Sequence, residues 1–80
     1  MNKIIGWLEF YYDGKSKSGK TDEYIVLHKD SKDILGEIKW SGNFRQYTFS
    51  PESLTYFSRG CLRNVATFID ELMDKRKKWD

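Results

Sequence analysis

The chain has 80 residues, of which 39% are hydrophobic and 16% aromatic, so it can form one small domain whose core is built largely from rings. Its 14 Lys and Arg residues against 12 Asp and Glu residues leave a formal charge of +2, which excludes a strongly basic nucleic-acid-binding protein. The single cysteine, Cys61, excludes an internal disulfide and a multi-thiolate metal site. No apolar run approaches the roughly 18 residues that a membrane span needs. We therefore expect a single domain over residues 1–80, in the cytoplasm and without a membrane segment.

Four segments with alternating apolar and polar side chains predict an antiparallel β-meander. In chain order they are residues 4–12, 23–29, 34–40 and 44–49. Polar segments connect them, and the longest, residues 13–22, contains no apolar side chain. The sequence therefore predicts a four-stranded sheet whose first connection is an exposed loop.

One amphipathic helix follows the strands. Pro51 ends the fourth strand because it lacks a backbone N–H, and Ser58 is a candidate N-cap. From Arg59 onward apolar residues recur every three or four positions: Leu62, Val65, Ala66, Ile69, Leu72 and Met73, with Cys61 and Phe68 widening the stripe. The basic residues at 75–78 complement the negative end of the helix dipole, an interpretation that we favour over a phosphate- or membrane-binding patch. The predicted fold is α+β, an antiparallel four-stranded β-meander packed against one C-terminal α-helix (ββββα).

Residues 14–21, GKSKSGKT, match the GxxxxGK[ST] pattern of a phosphate-binding loop. That chemistry needs a helix after the loop, whose N-terminal amides face the phosphate, whereas Thr21 is followed by an alternating strand. We therefore expect no nucleotide hydrolysis. Lys15, Lys17 and Lys20 remain candidates for anion binding as a flexible cationic loop.

Other catalytic interpretations are weaker. His28 is the only histidine and lacks a second ligand cluster that could complete a metal site. Cys61 lies near a helix start, where a thiol pKa can fall, but its place beside the apolar stripe favours a core residue. Glu9 and Glu37 are interpreted as solvent-facing strand residues. We expect no enzyme, no metal and no cofactor.

A set of spaced residues carries a resemblance. The chain reads GxIxW at 36–40, FRxYxFxP at 44–51, TxF at 55–57, CL at 61–62 and FIxxL at 68–72. This resembles a family of small proteins from bacteriophages and mobile elements, whose members read GxIxWYxxWRxYxFxP before the same later motifs. The chain departs from that pattern at Ser41, where the family has Tyr, and at Phe44, where it has a second Trp. The resemblance implies a phage-type accessory protein acting in the host cytoplasm, where small proteins of this origin often disarm host defence.

The residues between 40 and 49 support two binding hypotheses. In the first, Trp40, Phe44 or Tyr47 stacks on the base of a small nucleotide signal, and Arg45 or a lysine of the 13–22 loop meets its phosphate. In the second, the same strip is an interface for a host defence protein, because Trp, Tyr and Arg dominate binding at buried interfaces. Binding to nucleic acid through exposed rings and basic loops is a third, less favoured hypothesis because the charge is nearly balanced.

The same strip also has a purely structural interpretation. In ideal alternation Arg45, Tyr47 and Phe49 share one face, so the two rings pack against the helix and the arginine lies at the sheet rim. Trp40 fits a core wall as well as a binding face. Sequence alone leaves these alternatives open.

Two sets of rings flank a sheet that has one helix to cover it. Ile4, Leu8 and Phe10 share one face of the first predicted strand, and Trp7 and Tyr11 share the other. The uncovered aromatic face predicts a homo-oligomer, a dimer or larger, that buries this face.

Overall fold

The computed structural model describes residues 2–77, which form five strands and one helix. The elements are β1 (Lys3–Ile5), β2 (Leu8–Lys15), β3 (Asp22–His28), β4 (Ile34–Ser41), β5 (Gln46–Pro51) and α1 (Arg59–Lys77). All neighbouring strands are antiparallel, and their order in the sheet is their order in the chain. The predicted α+β meander with a C-terminal helix is confirmed, except that the sheet has five strands and not four.

The additional strand arises from a hairpin within the first predicted strand. Gly6 and Trp7 form a two-residue turn between the paired residues Ile5 and Leu8, and Gly6 has φ +57°. A positive φ at the first turn residue alone is the pattern of a type II′ turn, for which glycine is favoured. Because the chain reverses there, Ile5 packs against the core while Ile4 is 58% exposed. The predicted face for Ile4 is therefore wrong.

The loop between β2 and β3 is shorter than expected. β2 continues to Lys15 through an irregularity between Tyr12 and Gly14, so only residues 16–21 connect the strands. The amide of Ser16 donates to the carbonyl of Thr21 at 2.8 Å, which closes the turn. The segment that matches the phosphate-loop pattern is thus a β-hairpin between antiparallel strands, and no helix leaves it.

The β4–β5 connection is longer than expected. β5 begins at Gln46, so Phe44 and Arg45 lie in the turn and not in a strand. Arg45 has φ +54°, the left-handed conformation that lets the chain re-enter a strand after a turn. Phe44 is 70% exposed. The expected strand over residues 44–49 was wrong at its start because alternation alone does not reveal this turn.

The core lies between the sheet and α1. Leu8, Phe10, Val26 and Ile38 are fully buried on the sheet side. The ring of Phe10 stacks on that of Phe68 with centroids 4.2 Å apart. Burial of large apolar side chains at roughly 1.5–3 kcal/mol each is the main stabilisation available to a domain of this size.

Helix α1 begins as expected but is rotated relative to its predicted stripe. The Ser58 hydroxyl accepts a hydrogen bond from the amide of Cys61 at 3.1 Å, which confirms the N-cap. Its buried side chains are Val65, Phe68 and Leu72. Phe68 is therefore at the centre of the stripe, whereas Leu62 and Ala66, predicted to face the sheet, are exposed.

Among residues 2–77, one charged side chain is buried on the face of the sheet opposite α1. Glu9 is only 7% exposed, which corrects the expectation of a solvent-facing residue. Its carboxylate accepts hydrogen bonds from the Lys32 ammonium and, at 2.7 Å, from the Asn2 side chain. The Lys32 hydrogen bond, with a smaller contribution from Asn2, lowers the pKa of Glu9 against the opposing effect of desolvation. Tyr11 on this face is 45% exposed, and the predicted oligomer stays a prediction.

Within residues 2–77, no helix has the length and the apolar character that crossing a bilayer requires.

Candidate functional site: a basic pocket between the β2–β3 hairpin and the end of α1

A pocket of about 360 Å³ lies where the β2–β3 hairpin meets the C-terminal turns of α1. Its lining residues are Lys15, Lys20, Asp22, Tyr24, Tyr47, Leu72, Lys75 and Arg76. Four cations against one carboxylate give this lining a formal charge of +3. The volume is at the lower end of the roughly 300–1,000 Å³ typical of small-molecule sites.

The hairpin wall of this basic pocket is held by Asp22. Lys15 and Asp22 are paired across the β2–β3 ladder, and the Lys15 ammonium lies 2.8 Å from Asp22 Oδ1. The hydroxyl of Tyr12 donates to the same oxygen at 3.3 Å, while the Asp22 amide donates to the Tyr47 hydroxyl at 3.2 Å. The hydrogen bond to Asp22 raises the pKa of Lys15, so this lysine stays charged at neutral pH. The hairpin is thus fastened to β5 and presents a fixed cation.

Two tyrosines beside Asp22 keep their protons. Burial, reinforced by the Asp22 carboxylate, raises the pKa of Tyr24 to about 12. Desolvation, and then the same carboxylate, raises the pKa of Tyr12. The Tyr24 ring is fixed from below by an edge contact with Phe68, with centroids 4.9 Å apart. These hydroxyls are therefore neutral hydrogen-bonding groups and not phenolates at neutral pH.

The helix wall of the basic pocket is ordered by Trp40. The guanidinium carbon of Arg76 lies 4.2 Å from the centroid of the Trp40 ring, which is a cation–π contact. The Trp40 ring in turn makes an edge contact with Tyr47 at 5.4 Å. This stack connects β4, β5 and α1, and it positions the guanidinium beside the other three cations.

Comparison with known proteins gives one relative. Over 59 residues the chain is 39% identical to a protein of Acholeplasma phage L2 named "Uncharacterized 9.3 kDa protein", and the match covers 74% of this chain and 76% of the phage protein. The chain belongs to this phage-protein family. No protein-family model matches it, and no solved structure matches it. The link to small phage proteins is thereby shown, while the finer motif pattern stays a prediction.

In this phage-family protein the predicted binding residues do not form one surface. Lys15, Lys20 and Tyr47 line the basic pocket, whereas Lys17, in the same hairpin loop, is exposed and does not. Phe44 and Arg45 lie in the β4–β5 turn and are absent from the pocket lining.

Trp40 does not line the basic pocket and contacts it through two lining residues, Arg76 and Tyr47. One face of its ring is covered by the guanidinium and is closed to a base. The residue therefore positions a cation in this structure, which differs from the stacking role that the sequence suggested.

Sequence reasoning missed Asp22 and gave phosphate binding by Lys75 and Arg76 only as the less favoured alternative. The two basic residues were interpreted as complements to the helix dipole, and the structure shows that they also line the pocket. The length of α1 is a signal that could have found them, because 19 residues extend about 28 Å and carry the last turns across the sheet to the β2–β3 hairpin. The Lys77 side chain and Lys78, predicted in the same basic cluster, lie outside the described residues.

The other reactive side chains are placed elsewhere. His28 uses Nδ1 to accept a hydrogen bond from the amide of Asp30 at 3.2 Å, so it caps the β3–β4 turn. Cys61 is half-buried against the core. Among residues 2–77, no three His, Cys, Asp or Glu side chains are grouped as a metal site.

Proposed function

We propose that this protein binds a small phosphate-bearing ligand, a nucleotide, in the basic pocket and sequesters it without chemical change. The observation that carries the proposal is the convergence of Lys15 and Lys20 with Lys75 and Arg76 around one cavity, although about 55 residues separate the two pairs. Charge-assisted hydrogen bonds from ammonium and guanidinium groups are among the stronger contacts available to a phosphate.

Besides its cations, the cavity has an aromatic contact and a hydrogen-bond acceptor for a ligand. Tyr24 and Tyr47 are among its lining residues, and the half-buried Tyr24 offers an aromatic base an apolar contact beside the cations. Asp22 supplies an acceptor that could pair with an N–H group of a base or with a ribose hydroxyl. A nucleotide combines an anion, a planar ring and donors, and it matches this set better than inorganic phosphate does.

The family relationship supports a biological role for such binding. Since the relative is a phage protein, we propose that this protein acts in the host cytoplasm as a counter-defence factor that withholds a nucleotide signal. Tight binding at a fixed pocket is sufficient for this role, because a sequestered signal no longer activates its receptor.

The proposal is tested by native mass spectrometry of protein purified from expressing cells, repeated with a panel of linear and cyclic nucleotides. We expect one ligand for each chain with at least one member of the panel. Isothermal titration then compares Lys75→Ala, which removes a lining cation, with Lys17→Ala, which removes an equivalent charge outside the pocket.

Comparing Lys75→Ala with Lys17→Ala distinguishes binding in the pocket from nonspecific attraction of the ligand to positive charge. We expect Lys75→Ala to weaken binding at least about tenfold, since a hydrogen bond to a charged group contributes roughly 1.5–3 kcal/mol. Lys17→Ala should bind like the parent. Equal losses in both variants, or no adduct with any nucleotide, would overturn the proposal and favour a host defence protein as the target.

A further inference from the structure

The two edges of the sheet are protected very differently. β1 has three residues and carries Lys3, and both short length and lysine discourage pairing with another strand. β5 has six residues, QYTFSP, without a charged side chain. Its only neighbour in the sheet is β4, and within residues 2–77 no loop forms a backbone hydrogen bond to its outer edge.

The backbone groups on that edge can be assigned. The amide of Glu52 donates to the carbonyl of Leu35 at 2.9 Å, so these two opposite residues form a hydrogen-bonded pair. Since such pairs alternate along an antiparallel ladder, Thr48 also bonds to β4, while the N–H and C=O groups of Tyr47 and Phe49 point outward. Pro51 belongs to the outward set, which agrees with its lack of an N–H.

An apolar groove runs along the same edge on the helix side. It has a volume of about 410 Å³ and lies between β5 and α1, with Phe44, Phe49, Ala66 and Ile69 in its lining. Leu62, one turn before Ala66, is 52% exposed. The apolar stripe of α1 is thus wider than the sheet beneath it and extends past the edge of β5.

We propose that β5 is the interface between two copies of this chain, paired antiparallel about a two-fold axis at Thr48. In this register Tyr47 of each copy is opposite Phe49 of the other, so all the outward N–H groups of these residues find carbonyl partners. The two sheets join into one sheet of ten strands. The apolar grooves of both copies lie on the helix side of this sheet, where the two grooves face and cover each other. This inference is independent of the proposed function.

A second copy fits this edge because the ends of β5 are complementary to each other. Arg45 lies before the strand and Glu52 after it, and antiparallel pairing places each Arg45 beside Glu52 of the other copy. The exposed rings of Phe44 come near the other copy's loop after Pro51, where Leu54 is 92% exposed. An isologous interface needs this self-complementarity.

Thr48 gives a specific test. In the proposed dimer, Thr48 of one copy is opposite Thr48 of the other in a pair without backbone hydrogen bonds, where side chains approach most closely. Within each chain, Thr48 is opposite Lys39 of β4. Thr48→Glu therefore sets two carboxylates against each other in the dimer but faces a lysine inside each chain. Thr48→Gln has a similar size without the charge and is the matched control.

Sedimentation equilibrium should give twice the 9.5 kDa chain mass for the parent and for Thr48→Gln, and the monomer mass for Thr48→Glu. Circular dichroism confirms that the variants fold. Amide hydrogen exchange gives an independent readout: the Tyr47 and Phe49 amides should be protected in the dimer and exchange rapidly in Thr48→Glu, while the Thr48-position amide stays protected in both. A monomeric parent, a dimer unaffected by Thr48→Glu, or a dimer with unprotected Tyr47 and Phe49 amides would overturn the proposal.

Discussion

The guanidinium carbon of Arg76 lies 4.2 Å from the centroid of the Trp40 ring, and this contact connects the last turns of α1 to the C-terminal end of β4. Arginine side chains lose considerable rotamer freedom when they are immobilised. Because Trp40 already holds Arg76 beside the basic pocket, part of that loss has occurred before an anion arrives. The contact therefore preorganises one of the four cations.

Replacing the ring should weaken anion binding without removing a charge. We expect Trp40→Leu to reduce the affinity for pyrophosphate about two- to fivefold, since an exposed cation–π contact contributes roughly 0.5–1 kcal/mol. Trp40→Phe keeps an aromatic face and should lose less. Isothermal titration measures the pyrophosphate affinity of both variants, and thermal unfolding checks that each variant still folds when its contact with Tyr47 is altered. Parent-like affinity in folded Trp40→Leu would show that Arg76 is not positioned by this ring.

Asp22 opposes the cations around it. Asp22→Asn preserves the side-chain shape and removes the only carboxylate among the lining residues, so pyrophosphate should bind more tightly. The expected gain is roughly three- to tenfold at low salt, because one unit charge about 4 Å away contributes on the order of 1 kcal/mol through water. The pKa of Lys15 should fall at the same time, since Asp22 is the cause of its elevation. An unchanged or lower pyrophosphate affinity would contradict the electrostatic description of the pocket.

Glu9 makes stability depend on acid pH. Its folded-state pKa is lowered from an ordinary value of 4.5, so the stabilisation is present above 4.5 and is lost as the pH falls through the folded-state value. Glu9→Gln should therefore be less stable than the parent at neutral pH, and the difference should shrink below pH 4.5. Urea unfolding across this range measures the effect. Glu37→Gln, at a half-exposed glutamate on the same face, is the control and should show a smaller difference at neutral pH.

Gly36 is required by the packing of Phe49. A Cβ at this position would lie 2.5 Å from the carbonyl oxygen of Ser50 and 2.7 Å from the Phe49 ring, so the neighbouring strand would have to move. We expect Gly36→Ala to lower the free energy of unfolding by roughly 1–3 kcal/mol. Gly42→Ala meets no atom within 4 Å and should stay close to the parent. Similar unfolding midpoints for the two variants would contradict this explanation.

Local sequence patterns predicted most of the fold because its later strands and its helix are regular. Alternation identified β3, β4 and most of β5, and Ser58 marked the start of α1. The hairpin at Gly6 was missed because apolar residues flank it on both sides without a polar connection, so one strand and two strands have the same pattern. The β4–β5 connection was predicted, but its continuation to Arg45 was missed because no glycine marks the left-handed residue.

The candidate site was predicted only in part because it depends on contacts between distant segments. Lys15 and Lys20 were visible as cations in a polar loop. Lys75 and Arg76 became part of the same site only through the path of α1 across the sheet, which no local pattern encodes. Phe44 and Arg45 were predicted as binding residues because aromatic residues are dense between positions 40 and 49. The structure places both in a turn outside the lining of the basic pocket.

The most direct test of the central claim is the location of bound phosphate, measured by amide chemical shifts during titration with pyrophosphate. The probe needs no assumption about the base, and exchange-averaged shifts report weak binding. We expect saturable changes at the amides of Lys15, Lys20, Asp22, Lys75 and Arg76, with the Phe44–Arg45 turn unaffected. Changes confined to that turn, or spread over all exposed lysines without saturation, would contradict the assignment of the basic pocket as the binding site.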